Sequence, residues 1–247
     1  DGDAHLTHTR GTVDFLARNG LMPQLIIVGV TNTDRTRDLT PTHVASTTID
    51  GRVFENPTSG GAAKFLEFFE DELFPYIQAH YRTLPLRVFA GHSFGGLFAL
   101  NAFFTHPAMF NAVLAVSPSL NWDDDLPIRQ ATSFFEDKKA VNAPLFVAMA
   151  NEEEGDPRPN RLDRLEQAFE GSEAESFEWR VMRMPDETHG SVVLRAHYWG
   201  LRDVFKAWPT GRAEYQDAIE DQYRTYFTGL KSLRSRTLML GLHLRGG

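Results

Sequence analysis

The chain has 247 residues, of which 42% are hydrophobic and 23% charged, a composition typical of a globular protein that can bury a sizeable core. Its net charge of −8 argues against nucleic acid or an anionic membrane as the main partner. The absence of cysteine excludes thiol catalysis, cysteine-bound zinc and disulfides, and it leaves the compartment, cytoplasm or periplasm, open. No run of about 18 apolar residues occurs, so we expect no membrane span.

Short apolar runs alternate with amphipathic patterns along the first 208 residues. In chain order, the apolar runs predict strands at residues 24–30, 86–91, 111–119, 143–150 and 177–184. The amphipathic patterns predict helices at residues 64–81, 95–107, 160–171 and 191–208. This alternation indicates an α/β domain over residues 1–208, with a mostly parallel sheet and helices on both faces. Residues 209–247 are predicted to form a helical C-terminal tail, whose role the sequence does not indicate.

The pattern G-x-S-x-G occurs at residues 91–95, between a predicted strand and a predicted helix. A serine in so tight a turn takes a strained backbone conformation, and the flanking glycines prevent side-chain collisions. The turn exposes the Ser93 hydroxyl, and it places the Phe94 N–H at a helix N-terminus, where it can stabilise an oxyanion. We therefore predict that Ser93 is a nucleophile; the alternative is an ordinary serine in a glycine-rich loop.

A nucleophilic serine needs a base and an orienting acid, which follow it in the order acid, histidine in this kind of fold. His189 lies in a loop between the fifth predicted strand and the last helix, where a catalytic base belongs. Three other histidines follow Ser93, but His106 ends a helix, His197 lies within a helix and His243 belongs to the tail. His189 is therefore the predicted base.

The acid is predicted among the carboxylates that follow the fourth strand, and Glu153 is the residue we select. Its neighbours Glu152, Glu154 and Asp156 remain alternatives. Carboxylates after the preceding strand also remain competitors: Asp123, Asp124 and Asp125.

Several separate motifs resemble one family. The stretches "YRTLPLRVFAGHSFGGLFAL", "AVSPSLNW" and "HGSVV" are similar to the esterase family that includes esterase D and the antigen 85 mycolyltransferases. The stretch "VGVTNTDRTRDLTPTH" narrows the resemblance to the ferric-siderophore, enterobactin-type esterase branch of the α/β-hydrolases. The similarity runs over residues 1–208, so it implies that these residues form an α/β-hydrolase domain.

The resemblance implies roles for individual residues. It agrees with Ser93 and His189, and it places the acid near Glu153, although some siderophore esterases are described as using a Ser–His dyad. It also implies that the "DGDAH" segment supplies a second oxyanion donor, the Asp3 N–H, beside Phe94. In the family this segment leaves the third strand, so we expect the first strands of the sheet to be absent from the chain as given.

Two further groups of residues have both functional and structural interpretations. Arg37, in a loop with Arg35 and Asp38, could bind an anionic substrate or form a salt-bridged loop, and Trp122 could line the cleft or pack in the core. A third group has a metal-binding interpretation, because residues that can bind a cation stand at every second position: Asp1, Asp3 and His5. Three ligands are few for a metal site.

The sequence thus predicts a serine esterase that works through an acyl-enzyme on a small-molecule ester and requires no cofactor. Siderophore-type esters are one substrate class that the resemblance implies. Acyl transfer by the same machinery and a non-catalytic binding protein of the same fold are the alternatives.

Overall fold

The computed structural model describes residues 1–49, 51–136, 141, 143–152, 160–172, 174 and 176–208. The strands are β1 (Ser46–Ile49), β2 (Arg52–Glu55), β3 (Val88–His92), β4 (Ala112–Val116), β5 (Leu145–Ala150) and β6 (Trp179–Met184). The helices are α1 (Gly2–Arg18), α2 (Arg35–Leu39), α3 (Ala62–Phe68), α4 (Phe74–His80), α5 (Phe94–Thr105), α6 (Leu126–Glu136), α7 (Arg161–Glu170) and α8 (Val192–Val204), and a π-helical turn (Phe69–Leu73) joins α3 to α4. The predicted tail, 209–247, lies outside the described residues.

The four strands β3, β4, β5 and β6 form one parallel sheet in that order. They confirm four of the five predicted strands, and the helices between them confirm the crossover pattern. A separate antiparallel hairpin pairs β1 with β2. Because all four sheet strands are parallel, their carboxyl ends meet along one edge, and the loops that follow them meet there too.

The predicted strand at 24–30 is wrong in this structure. These residues are not hydrogen-bonded as a strand, and they line, together with β3, a cavity of about 210 Å³. Apolar, β-branched composition favours an extended chain, but a strand also requires a hydrogen-bonded neighbour, and the described residues place none beside this segment. Its last residue, Val30, instead accepts a hydrogen bond from the Gly2 N–H at 2.9 Å.

The sheet separates two hydrophobic cores. Alternate residues of β4, Val113 and Ala115, pack with side chains of α3, α5, α6 and α7. Their neighbours Leu114 and Val116 face the opposite side and pack with α1 and α8. Side chains along a strand point alternately to the two faces, so a strand covered on both sides is apolar throughout, as β4 is.

Several helices depart from the sequence-based predictions in ways that local chemistry explains. The predicted helix at 64–81 is present, but it widens into the π-turn just before Pro75, whose ring has no N–H and crowds the preceding turn of a regular helix. Helix α6 lies between the predicted strands 111–119 and 143–150, where no helix was predicted, and it has Pro127 in its first turn, where proline is well tolerated. Helix α1 was not predicted; its buried residues include Val13 and Leu16. None of the described helices combines the length and apolarity needed to cross a bilayer.

Candidate active site

Ser93 occupies the sharp turn between β3 and α5, and its backbone is strained there. Its φ of 60° and ψ of −117° lie in a region that residues with a side chain rarely adopt. The turn is so tight that a Cβ on Gly91 would lie 2.0 Å from the Gly95 carbonyl oxygen, and one on Gly96 would lie 2.9 Å from that of Val116. Gly91 and Gly96 are therefore required by close backbone approach, and the turn that they permit presents the serine at the edge of the sheet.

The base predicted from the sequence, His189, contacts a carboxylate of the neighbouring loop. Its Nδ1 lies 2.9 Å from Oε2 of Glu152, the second residue after β5. Burial opposes ionisation of Glu152, but hydrogen bonds from His189 and Ser117 outweigh it and lower the pKa of Glu152 below its ordinary value. An ionised Glu152 accepts the Nδ1 proton, which leaves Nε2 as the basic nitrogen of a neutral His189 ring.

The other candidate acids have different surroundings. Glu153, the residue selected from the sequence, lies outside the described residues, as do Glu154 and Asp156. Asp125 accepts hydrogen bonds from Arg161 and Arg164 of α7, both at 2.6 Å, so its carboxylate joins two structural elements. Among the described carboxylates it is Glu152 that the structure brings to His189.

Ser117 is a site residue that sequence reasoning missed. It directly follows β4, is 1% exposed, and has a φ of 39°. Its hydroxyl accepts a hydrogen bond from the Ala150 N–H at 3.2 Å and, in turn, donates one to Glu152. The only signal in the sequence was its position in the stretch "AVSPSLNW", which carried the family resemblance but no assigned role.

The two predicted oxyanion donors begin two helices that meet. Phe94 is the first residue of α5, and Asp3 is the second residue of α1. Asp1, which caps α1, has its carboxylate bound by both arms of Arg35, at 2.6 and 2.9 Å, and a Cβ on Gly95 would lie 3.7 Å from that carboxylate. The Arg35 guanidinium also lies over the Phe94 ring, 5.2 Å from its centre. The N-termini of α1 and α5 are thus held close together.

The two residues predicted to bind substrate are both engaged within the protein. Arg37 donates to the carboxylate of Asp38 at 2.8 Å and to the hydroxyl of Thr33 at 2.9 Å, although its side chain is about half exposed. Trp122 is 1% exposed, donates from Nε1 to Thr42, and packs edge-on against the Phe94 ring at 5.2 Å. Its indole therefore influences the site through Phe94 rather than through its own surface.

Four further histidines pack together beside His189, a cluster that sequence reasoning did not predict. They come from α1, β3 and α8: His5, His8, His92 and His197. Neighbouring ring centres in this group lie 5.1 to 6.5 Å apart. Burial lowers the pKa of all four, that of His92 to about 4 and that of His197 to about 3, so they are neutral near pH 7. Within the described part of the chain, no three histidine or carboxylate side chains are placed to hold a metal ion.

A strained serine after one strand, a histidine after another and a carboxylate after a third, on a parallel sheet covered by helices, define the α/β-hydrolase class. Residues 1–175 match the family model described as "Putative esterase", and the chain belongs to that family. The solved structure of an IroE-like serine hydrolase from Shewanella oneidensis is 30% identical, with a TM-score of 0.71 over 97% of this chain and 78% of that one.

Two curated relatives match a shorter part of the chain. The siderophore triacetylfusarinine C esterase of Aspergillus fumigatus is 35% identical over 127 residues, 49% of this chain and 43% of that protein. The ferri-bacillibactin esterase BesA of Bacillus subtilis is 36% identical over 102 residues, 41% of this chain and 35% of that protein. The matches thus span less than half of either relative. They confirm the resemblance to the siderophore esterases.

Replacing Gly91 by alanine tests whether the tight turn is needed to present Ser93. The new Cβ would overlap the Gly95 carbonyl, so the turn must open and the serine must move. We expect Gly91→Ala to lose most of its labelling by a fluorophosphonate probe at a concentration that labels the unmodified protein fully. Gly11→Ala is the matched control, since nothing lies within 4 Å of its Cβ and alanine favours the helix. Equal labelling of the two variants would contradict the prediction.

The buried histidine His197 makes stability depend on pH. The unfolded residue titrates near 6.5 and the folded one near 3, so protons bind preferentially to the unfolded chain between these values. We expect the free energy of unfolding to fall on acidification, with about 1.4 kcal/mol per pH unit coming from His197.

Urea unfolding of His197→Asn at several values from roughly pH 7 to pH 4.5 measures this contribution. The Thr9 hydroxyl donates to the His5 carbonyl, so it accepts from the His197 Nδ1 at 2.9 Å. Asparagine can still donate to Thr9, but it cannot be protonated. The variant should be less stable at neutral pH and lose stability less steeply on acidification. His80→Asn, at an exposed position, is the control for replacing a histidine by asparagine. Parallel curves for the wild type and His197→Asn would contradict the assignment.

Proposed function

We propose that this protein hydrolyses carboxylic esters through an acyl-enzyme formed on Ser93, with His189 as base and Glu152 as the orienting acid. The observation that carries the proposal is the 2.9 Å contact between His189 Nδ1 and Glu152, at the sheet edge where the strained Ser93 is presented. A carboxylate on Nδ1 fixes the tautomer in which Nε2 can accept a proton, and it stabilises the imidazolium that results. We further propose that residues 1–208 are the hydrolase domain and that 209–247 are an appended tail.

In the first half of the reaction, Nε2 of His189 takes the Ser93 proton while Oγ attacks the ester carbonyl carbon. The tetrahedral intermediate collapses when His189 returns that proton to the leaving alcohol, which leaves the acyl group on Ser93. In the second half, the same nitrogen deprotonates water, whose oxygen attacks the acyl carbon to form a second tetrahedral intermediate. This intermediate collapses when His189 returns the proton to Ser93 Oγ, which breaks the bond to the serine oxygen and releases the acid. Side chains of the protein carry every proton, so these steps require no cofactor.

The oxyanion of each intermediate is assigned to the N–H groups of Phe94 and Asp3. The joining of the α1 and α5 N-termini through Asp1 and Arg35 supports this assignment, because it directs the positive ends of two helix dipoles to one place. The Gly2 N–H is not free for this role, since it donates to the Val30 carbonyl. A donor of this kind contributes about 3 kcal/mol to stabilising the transition state.

The substrates we propose are siderophore esters. Support comes from the names of the two curated relatives, a triacetylfusarinine C esterase and a ferri-bacillibactin esterase, which match the chain at 35% and 36% identity. Transfer of the acyl group to an alcohol would use the same residues. It differs from hydrolysis only in that an alcohol, instead of water, attacks the acyl-enzyme.

Hydrolysis of p-nitrophenyl acetate by single variants tests the three assigned roles. We expect Ser93→Ala and His189→Ala to lose about 10³-fold or more in kcat/KM, and Glu152→Gln to lose about 10²-fold to 10⁴-fold, because the glutamine cannot stabilise the imidazolium. Glu153→Gln, one residue further on, is the matched comparison and should retain most of the activity. A large loss in Glu153→Gln with an active Glu152→Gln would assign the acid to Glu153. Full activity in both variants would indicate a Ser–His dyad.

The substrate class is tested with the iron-loaded siderophores that the two relatives' names give, triacetylfusarinine C and bacillibactin. Loss of each ester and appearance of its hydrolysis products are followed by mass spectrometry, with Ser93→Ala as the control. We expect kcat/KM for at least one of them to exceed that for p-nitrophenyl acetate, because binding of the larger substrate lowers the barrier at the ester. If the protein hydrolyses p-nitrophenyl acetate but neither siderophore, the esterase activity is supported and the siderophore assignment is refuted. No turnover and no fluorophosphonate labelling of a folded protein would indicate a binding protein.

A further inference from the structure

His92, the residue before the nucleophile, makes a contact that the proposed reaction does not assign. It is the last residue of β3 and only 9% exposed. Its Nε2 lies 2.7 Å from the backbone carbonyl oxygen of His189, and the two imidazole rings are 4.5 Å apart, centre to centre. The contact joins the strand that ends at Ser93 directly to the loop that carries the base.

The chemistry of this contact fixes the state of the His92 ring. A carbonyl oxygen can only accept a hydrogen bond, so Nε2 must carry the proton and donate it. Burial and the neighbouring His189 and His5 lower the pKa of His92 to about 4, so the ring is neutral near pH 7. A neutral ring places no positive charge beside His189 when that residue becomes an imidazolium.

The position of His92 is itself restrained by its strand and by the ring of His5. Its backbone is fixed in β3, which pairs with β4 through the register His92 to Val116. The ring of His5, from α1, packs edge-on against the His92 ring, with the ring centres 5.3 Å apart. The His189 ring packs against the same ring at a tilt of 44°. By contrast, the His189 side chain is 49% exposed, and among the described residues its own contacts are those with Glu152 and His92.

We propose that His92 is a positioning residue that sets the distance between the nucleophile and the base by holding the His189 carbonyl. It acts on one side of His189 while Glu152 holds Nδ1 on the other. Because His92 and Ser93 are consecutive, any movement of the turn at Ser93 also moves His92, and His92 holds the carbonyl of the base. This inference rests on the proposed function, since it concerns the Ser93–His189 pair.

Two substitutions separate the hydrogen bond from the packing. His92→Phe keeps a ring of similar size but removes the donor, whereas His92→Gln places an amide N–H close to the position of the Nε2 proton. With p-nitrophenyl acetate we expect His92→Phe to lower kcat about 10-fold to 100-fold with little change in KM, because a displaced base weakens proton transfer more than binding. His92→Gln should recover most of the rate.

His80→Phe is the matched control. The His80 Nδ1 also lies 2.7 Å from a backbone carbonyl oxygen, that of Tyr76, but at an exposed position at the end of α4. Losing this bond should leave kcat unchanged. Thermal unfolding of all variants shows whether each is folded at the assay temperature.

The decisive measurement repeats His92→Phe in the His189→Ala background. If His92 acts through His189, the substitution lowers kcat in the wild type but changes the residual rate of His189→Ala by less than about twofold. Equal losses in both backgrounds would indicate a general structural effect and overturn the proposal, as would wild-type kcat in His92→Phe or no recovery in His92→Gln.

The Ser93-dependent rate of the wild type is measured in the same series. Its absence would refute the proposed function and this inference together, whereas its presence with an unaffected His92→Phe would refute only the inference.

Discussion

The parallel arrangement of β3, β4, β5 and β6 is the constraint on which the site depends. Each strand ends at the same edge of the sheet, and each is followed there by one polar group of the site: Ser93, Ser117, Glu152 and the loop of His189. The groups are far apart in sequence, but neighbouring strands of a sheet are separated by only about 4.8 Å. The sheet brings these groups near one another, and hydrogen bonds between the loops then fix their positions. The hydrogen bond between Ser117 and Glu152 is an example.

The parts of the structure that the sequence predicted well are those in which local pattern and three-dimensional structure agree. The strands at 111–119 and 143–150 are apolar because both of their faces are buried, and a strand covered on both sides has no other composition available. The turn at Ser93 was predictable because Gly91 is required by the backbone of Gly95, only four residues further on. The segment 24–30 has the same apolar character, but the described part of the chain places no strand beside it, and pairing is a property of the whole fold.

The choice of acid shows where sequence reasoning reaches its limit. The pattern located a group of carboxylates after β5, but consecutive residues of an extended chain point in opposite directions, so a shift by one residue changes which carboxylate can reach the base. Composition does not encode that register. The histidine group is a second example: His5 and His8 come from α1 and His197 from α8, and only the packing of these two helices brings them together.

The backbone of Ser93 has a consequence for how such a protein can change over evolutionary time. A residue with a side chain in this conformation costs on the order of 1–3 kcal/mol, which glycine would largely recover. Selection for stability alone would therefore remove the serine, whereas under the proposed function selection for the nucleophilic hydroxyl keeps it there. A descendant of this chain that no longer needed the hydroxyl would gain stability by losing it, so glycine at position 93 would mark a lineage that has kept the fold and abandoned the chemistry.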